Sequence, residues 1–452
     1  MDPRTRALLE APAVPLLLRM AWPNVVVMLA QACSGLIETF WVSKLGTDAL
    51  AGMALVFPCV MLVQMVSAGS LGGGISSAIA RALGARRPSD ANALLLHALA
   101  INVVLGVTCS IVVLAFGKQL YGALGGSGGS LRAALTYSNV VFAGNIVIWL
   151  MNALASVVRG TGNMLVPAIA VCACAALLVP LSPLLIFGVG PFPAFGIAGG
   201  GIAMVVTFGL GTIALALYVL SGRSVVRFVR TRWERRLFSA ILGVGAVATI
   251  SSLQTNVTIG CITGLVARVA GPEGVAGYGT GARLEYLLIP LVFGLGAPLV
   301  ALVGTNIGAG ATQRALRIAL MGGAIAFAIT EALGVAAALW PRAWLTLFGS
   351  DPGMLAAGSA YLRAVGPFYG FFGLGLALYF ASQGAGRLVW PLAAGLLRMA
   401  IALIGGWLAL RATGSTAWLF AFVGGGMLAY GVVVTFAVVS GAWFRRPVLA
   451  TA

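Results

Sequence analysis

The chain has 452 residues, 60% of them hydrophobic and only 8% charged, with a net charge of +17. Soluble domains carry roughly 25% charged residues, so this composition excludes a water-soluble globular fold and sets most side chains against lipid or other helices. The basic residues lie in segments between apolar runs rather than on one face, which excludes a nucleic-acid surface and matches the positive-inside pattern of membrane proteins.

The hydropathy pattern predicts about twelve spans, each near the ~20 residues that a bilayer requires. They fall at 15–40, 50–72, 92–116, 134–157, 165–188, 196–220, 238–262, 276–302, 315–339, 361–382, 390–410 and 416–440. All are expected to be helices, because lipid leaves every backbone polar group to be satisfied within the segment. No run alternates like a barrel strand. A removable signal peptide is not expected, since the first apolar run reads as a membrane helix in its own right.

The charges orient these spans. With the N-terminus inside, internal segments hold 17 Lys or Arg and external loops hold 6. Arg4, Arg6, Arg81, Arg86, Arg87, Arg445 and Arg446 are among the internal ones. Four more, Arg19, Arg283, Arg363 and Arg398, fall within spans or at their ends. Both termini are therefore expected in the cytoplasm of a multi-pass protein of the cell membrane. The strongly polar stretch Ser221–Arg236 holds six arginines and one acid, Glu234. It divides the chain into a lobe over 1–220, a basic linker over 221–236 and a lobe over 237–452.

The two lobes repeat at one fixed offset, the separation of Gly84 from Gly308. Leu83-Gly84-Ala85 returns as Ile307-Gly308-Ala309, and Arg159-Gly160-Thr161-Gly162 with Pro167 returns as Gln383-Gly384-Ala385-Gly386 with Pro391. Gly199-Gly200-Gly201 meets Val423-Gly424-Gly425. Six spans per half is an even number, so the halves share one orientation and a pseudo-twofold axis along the membrane normal. The predicted fold is an all-α polytopic membrane protein of two six-helix lobes. Many secondary transporters are built from such repeats, with the substrate site between them. The 62 glycines fit close helix packing, and Pro23, Pro58, Pro180, Pro183, Pro290 and Pro298 fit kinks within spans.

Ionisable residues inside spans are costly and mark functional candidates. Three acids qualify: Glu38, Glu285 and Glu331. Glu38 and Glu285 are candidate cation-coupling groups, able to load a proton or coordinate Na⁺. Glu331 is the weakest of the three. Uncharged polar and aromatic residues accompany the acids. Gln31 lies seven residues before Glu38, on nearly one helix face. Met61, Gln64 and Met65 share a face of the second span. Gln254 and Asn256 sit in the seventh span, Tyr278, Arg283 and Tyr286 flank Glu285, and Tyr369 lies in the tenth. Aromatic, Met and amide side chains suit amphiphilic cations, so Gln31, Met61, Gln64, Gln254, Asn256, Tyr278, Arg283, Tyr286 and Tyr369 are the substrate-cavity candidates. His97 reads as a surface or interfacial histidine. Cys33, Cys59, Cys109, Cys172, Cys174 and Cys261 lie in apolar runs without metal-ligand spacing, and read as small buried residues.

With these residues in place, the chain resembles the multidrug and toxic compound extrusion (MATE) family over nearly its whole length. The resemblance rests on Gly35-Leu36-Ile37-Glu38-Thr39 running to Leu45-Gly46, and on the glycine-rich end of span two. It rests also on Arg159-Gly160-Thr161-Gly162-Asn163, and on Ala282-Arg283-Leu284-Glu285 followed by Val303-Gly304-Thr305-Asn306. The Arg-Leu-Glu step looks most like the DinF-like bacterial branch. The resemblance implies two lobes around a central cavity, alternating access, and export driven by inward H⁺ or Na⁺, with the first-helix acid mapping onto Glu38. Where the family often has an acid and an Asn in span five, this chain has Ser182 and Leu178. A lone carboxylate suits H⁺ better than Na⁺. No cofactor, enzyme activity or nucleic acid is implied; the expected partners are small solutes and lipid, and the expected state is a monomer. A flippase for a lipid-linked precursor or polysaccharide is the rival reading, kept open by the four arginines in or near spans.

Overall fold

The computed structural model describes residues 2–188, 193–441 and 443; the side chain of Tyr286, and Arg445 and Arg446, lie outside the described residues. A short helix, α1 (Pro3–Glu10), precedes α2 (Ala13–Ser43). Then come α3 (Thr47–Gln64), α4 (Gly72–Gly84), α5 (Pro88–Ala123), α6 (Gly128–Ala143), α7 (Asn145–Gly160), α8 (Leu165–Phe187) and α9 (Ile197–Leu220). The second half holds α10 (Arg235–Gly308), α11 (Thr312–Leu339), α12 (Pro341–Leu345), α13 (Pro352–Val365), α14 (Tyr369–Ala385), α15 (Val389–Ala400), α16 (Gly406–Thr413) and α17 (Thr416–Val439).

Ten helical runs are long and apolar enough to cross a membrane, and the pair α6–α7, bent by 50°, makes one more. The 74-residue α10 is broken at Gly271, whose φ of 64° and ψ of −172° are non-helical. Its arms, 235–270 and 272–308, correspond to the seventh and eighth predicted spans, so the predicted twelve are accounted for. The chain is an all-helical, multi-pass membrane protein. The break follows from the sequence: glycine accepts a positive φ without steric cost, and Pro272 then starts the next helix at the position where a missing N–H does no harm.

Two further interruptions fall inside spans. A π turn over Met65–Leu71 joins α3 to α4 through the glycine cluster, and another over Ile401–Gly405 joins α15 to α16. Such bulges are frequent at functional sites. The α6–α7 bend sits at Gly144, where a Cβ would run into Val205 of α9. Asn145, the first residue of α7, donates from Nδ2 to the Gly106 carbonyl of α5 at 3.3 Å.

The described residues divide into two compact units. The first is Met1–Ala7 with Trp22–Gly245, and the second is Leu8–Ala21 with Ala246–Ala452. The division does not run at the linker. The start of α2 belongs to the second unit and the start of α10 to the first, and the two boundaries, Ala21 and Gly245, stand one repeat offset apart.

The repeat also persists in the packing. A Cβ on Gly160 would stand 2.8 Å from the carbonyl oxygen of Ser76; on Gly384, its counterpart in the repeat, it would stand 2.6 Å from that of Val300. Ser76 and Val300 are themselves one offset apart. Likewise a Cβ on Gly72 would stand 2.6 Å from Ser156 Oγ, and one on Gly296 would run into the Phe380 ring. At each crossing, α4 or the second arm of α10 lies against α7 or α14 with no room for a side chain. Small residues allow this close approach, and dispersion over the whole crossing then holds helices that gain nothing from leaving lipid.

The basic linker is strapped to the first unit. Arg236 makes a bidentate ion pair with Asp90 at 2.8 and 2.9 Å, and the Arg227 N–H donates to Asn92 Oδ1 at 2.8 Å. His97 is fully buried, contrary to the surface position expected from sequence. Its Nε2 accepts from the Glu234 N–H at 3.0 Å, so Nδ1 carries the proton and donates to the Ala93 carbonyl at 2.8 Å. Trp233 and Phe238 enclose the ring at centroid distances of 5.0 and 4.5 Å. The neutral imidazole is thus a link between linker and helix that the local sequence, set among arginines, did not reveal. Of the cysteines, only Cys174 is fully buried; Cys33 and Cys261 are exposed, as apolar side chains facing lipid can be.

Gly160→Val and Gly384→Val should each cost about 1–3 kcal/mol through overpacking. The expected readout is a lower Tm of the purified protein in detergent, with Gly209→Ala, a site open to 4 Å, as the neutral control.

Candidate functional site

Each unit buries one carboxylate, and each carboxylate accepts from a tyrosine. In the first unit Glu38 of α2 is 8% exposed and accepts from the Tyr137 hydroxyl of α6 at 3.2 Å. Gly200 of α9 leaves space for it: a Cβ there would stand 3.5 Å from Glu38 Oε1 and 3.7 Å from both Tyr137 and Ile186. Helices α2, α6, α8 and α9 therefore meet around this carboxylate. No Lys or Arg pairs with Glu38 among the described residues. Ser182, where the resemblance placed an acid, is buried, and its Oγ has no hydrogen-bond partner among the described residues.

A second polar group of the same unit surrounds the π turn. Asn152 of α7 donates from Nδ2 to Gln64 Oε1 at 3.0 Å and to Ser67 Oγ at 2.8 Å. Ser67 in turn donates to the Val63 carbonyl at 2.7 Å. Gln64 is half-buried in this chain of bonds, while Gln31, Met61 and Met65 are exposed.

In the second unit Glu285 is 8% exposed and doubly answered. Tyr361 of α13 donates to its Oε2 at 3.0 Å, and Arg398 of α15 donates to its Oε1 at 3.2 Å. The guanidinium also lies 4.7 Å from the ring centroid of Phe372. Tyr278 meets Tyr361 edge-on at 5.1 Å and stacks on Phe420 at 6.0 Å. Gln254, from the first arm of α10, donates to the Gly395 carbonyl at 2.6 Å, one turn before Arg398. The π turn begins three residues after Arg398. A guanidinium reaching inward and a locally unwound helix therefore occur together in α15.

The predicted residues thus separate into three sets. Glu285, Tyr278 and Gln254 gather in or beside the second-unit cluster. Tyr369 is fully buried beside Tyr361 and Glu285, and so belongs to this cluster, whereas Asn256 is exposed, donating to the Ser252 carbonyl at 2.9 Å. Arg283 is exposed and stacks on Phe348 at 5.4 Å, turned away from Glu285 as positions two apart on a helix must be. Tyr286, also predicted, has its side chain outside the described residues. Glu331 serves the backbone, since its Oε2 accepts the Gly370 N–H at 2.7 Å, an orphan donor in the first turn of α14.

Sequence reading missed Tyr137 and Tyr361, and named Arg398 as an arginine in a span without pairing it with Glu285. The two tyrosines stand one repeat offset apart, so the repeat itself was the signal that could have found them. They are equivalent in the duplication, yet the acids they hold are not, for Glu38 corresponds to Ile262 and Glu285 to Met61.

Comparison with known proteins accords with this duplicated architecture. The MatE family model matches the chain twice, over residues 23–184 and 248–408. The chain belongs to the MatE family. Its members are transporters, not enzymes, and this chain is a secondary transporter of the membrane. It is 28% identical to the FAD transporter of Shewanella oneidensis over 383 residues, 83% of this chain and 82% of that one. It is 23% identical to the probable multidrug resistance protein NorM of Thermotoga maritima, over 83% and 81% of the two chains. Among solved structures, a MATE transporter in a bent conformation superposes with a TM-score of 0.89 at 24% identity, over 97% of both chains. A MOP superfamily transporter from Pyrococcus furiosus, described as having a binding pocket of reverse polarity, superposes at 0.88 and 23% identity over 99% and 100%.

Removing one partner of a buried ion pair leaves the other charge uncompensated, at a cost of about 3–5 kcal/mol, whereas replacing both is often neutral. Glu285→Gln should therefore lower Tm sharply, and Glu285→Gln combined with Arg398→Met should recover most of the loss. A double variant no more stable than the single one would show that the pair does not act as a unit.

Proposed function

We propose that this transporter exports a small amphiphilic solute in exchange for inward H⁺, with Glu38 as the group that carries the proton. The observation that carries the proposal is the contrast between the two buried acids. Glu285 is neutralised by Arg398, whereas Glu38 has a single hydroxyl donor and no basic partner among the described residues. A carboxylate in that setting changes charge by binding a proton, while one locked to a guanidinium does not need to. Only one carboxylate faces the Glu38 site, which favours H⁺ over Na⁺, a cation that requires several oxygen ligands. The internal arginines support cytoplasmic termini, and Ala282-Arg283-Leu284-Glu285 supports a place in the DinF-like branch.

In the cycle, protonation of Glu38 from outside removes its charge, weakens the Tyr137 contact and alters the packing of α2 against α6 and α9. Deprotonation toward the cytoplasm restores them. The driving force is the difference in stability of two conformations between the protonated and ionised states. The electrical part of the proton gradient supplies ~2.3 kcal/mol per charge per 100 mV. Exposed Gln31 and Met61 of the first unit are side chains offered to a solute in this reading.

One observation favours a second cargo. The similarity to an FAD transporter extends over 83% of the chain, so a flavin dinucleotide is a candidate substrate alongside drug-like cations. Proteoliposomes loaded with either a fluorescent cationic dye or FAD, with pH and Na⁺ gradients imposed separately, decide the matter. Efflux that follows the pH gradient and is lost in Glu38→Gln is the expected result. Efflux that follows only Na⁺, or persists in Glu38→Gln, overturns the assignment of the coupling group. Movement of FAD but not dye reassigns the cargo and leaves the coupling intact.

A further inference from the structure

A cavity of about 690 Å³ opens in the second unit where α11 begins, lined in part by Ala13, Thr312, Gln313, Arg314, Arg317 and Met321. No carboxylate lines it among the described residues. Its meaning emerges from the corresponding place in the first unit, which the repeat identifies. His97 corresponds to Met321, Asp90 to Arg314 and Ala93 to Arg317. The strap that covers the first-unit site corresponds to the chain around the α1–α2 junction: Trp233 to Leu9, Glu234 to Glu10, Arg236 to Pro12 and Phe238 to Val14.

In the first unit the place is filled. Trp233 and Phe238 pack on His97, and Arg236 closes on Asp90. In the second, the repeat sets Leu9 and Val14 at the positions of Trp233 and Phe238, and a cavity remains among the described residues. The charges are unbalanced as well. Asp90 has become Arg314 and its basic partner has become Pro12, so an ion pair is replaced by a guanidinium that makes no ion pair among the described residues. A second guanidinium, Arg317, is added where the first unit has alanine.

The donors are left over. Arg314 uses its Nη2 on the Ala11 carbonyl, while its Nε is buried and without a hydrogen-bond partner among the described residues. Arg317 makes no hydrogen bond or ion pair among the described residues. At the start of α11, Thr312 donates to Gly310 at 2.9 Å and Ala315 to Ala311 at 3.0 Å. The Gln313 and Arg314 N–H groups between them have no backbone acceptor among the described residues. A half-buried guanidinium, an exposed one and a helix N-terminus around this open cavity form a donor set suited to a tetrahedral oxyanion.

From this we infer that the second unit holds a phosphate-binding site, bounded by Arg314, Arg317 and the first turn of α11, with no counterpart in the first unit. The occupant is a phosphate group, supplied by an anionic lipid headgroup or by a free phosphate ester. The site is separate from Glu38 and does not depend on which solute is transported.

Binding is measured on the full chain in two arms. In a neutral detergent, inorganic pyrophosphate is titrated by calorimetry. In nanodiscs, retention of phosphatidylglycerol against phosphatidylcholine is read by native mass spectrometry. Saturable pyrophosphate binding, or selective retention of phosphatidylglycerol, is expected of the wild type, and the arm that responds identifies the source. Arg317→Gln and Met321→Glu should each weaken the response roughly ten-fold, as expected for loss of a charge-assisted bond or gain of a facing carboxylate. Arg317→Lys should retain part of it. Arg411→Gln, which removes a surface guanidinium stacked on Trp407, should leave it unchanged. Arg317 rather than Arg314 is altered, because Arg314 also holds the α1–α2 junction. No response in either arm, or an equal response in wild type and Arg317→Gln, overturns the site.

Discussion

A carboxylate taken out of water must be answered by donors or stay protonated, and that constraint organises both halves of this transporter. Lipid supplies no hydrogen bonds, so every polar atom within the spans is either paired inside the protein or placed there at a cost of several kcal/mol. Tyr137 and Tyr361 meet the requirement with one hydroxyl each. They sit at equivalent points of the duplication, on α6 and α13, and each reaches a carboxylate on a different partner helix. The donor was retained while the acceptor moved. In the second unit the moved acceptor acquired Arg398, which reaches it from the last turn of α15 before the π turn.

The duplication preserved what is geometric and released what is chemical. Crossings at Gly160 and Gly384, and at Gly72 and Gly296, are kept because a side chain at any of them would strike a neighbouring helix. Nothing of that kind holds the ends of the bundle. There one copy carries Trp233, Arg236 and Phe238 and closes over His97 and Asp90, while the other carries Leu9, Pro12 and Val14 and leaves a basic cavity. A filled site and an open one stand at equivalent positions of the repeat and differ in bulk and charge at a few of them. The backbone beneath them, including the matching boundaries at Ala21 and Gly245, did not need to change.

The fold was largely legible in the sequence because the signals behind it are long and redundant. Twelve apolar runs and Gly/Pro landmarks that keep register from one half to the other leave few architectures open. The break at Gly271-Pro272 falls in the interval between the seventh and eighth predicted spans, whereas the π turns over Met65–Leu71 and Ile401–Gly405 lie inside predicted spans. The site was legible only in part. Glu38 and Glu285 could be named because a charge inside an apolar run is visible by itself. Their pairing could not, since Tyr137 and Arg398 lie 99 and 113 residues away in the chain: Tyr137 resembles an ordinary residue of its helix, and Arg398, visible as a charge in a span, carries no mark of which acid it meets. Arg283 illustrates the opposite error: proximity in sequence made it a candidate, and helix geometry turned it toward Phe348. His97 misled for a similar reason, because the linker that buries it is the most polar stretch of the chain.

The asymmetry between the acids bears on how such a protein could do work. A transporter needs a charge that changes and a frame that does not. The Glu285–Arg398 pair is poorly suited to change, since protonating the acid would leave a guanidinium buried beside Tyr361 and Phe372, at a cost of several kcal/mol. Glu38 has no basic companion among the described residues; protonation there removes a charge and strands none. On the proposed coupling, the titrating site lies in the first unit and a fixed polar anchor in the second. Protonation energy would then enter at one place and be transmitted through helix packing, and a second carboxylate free to titrate would only give the proton another place to reside.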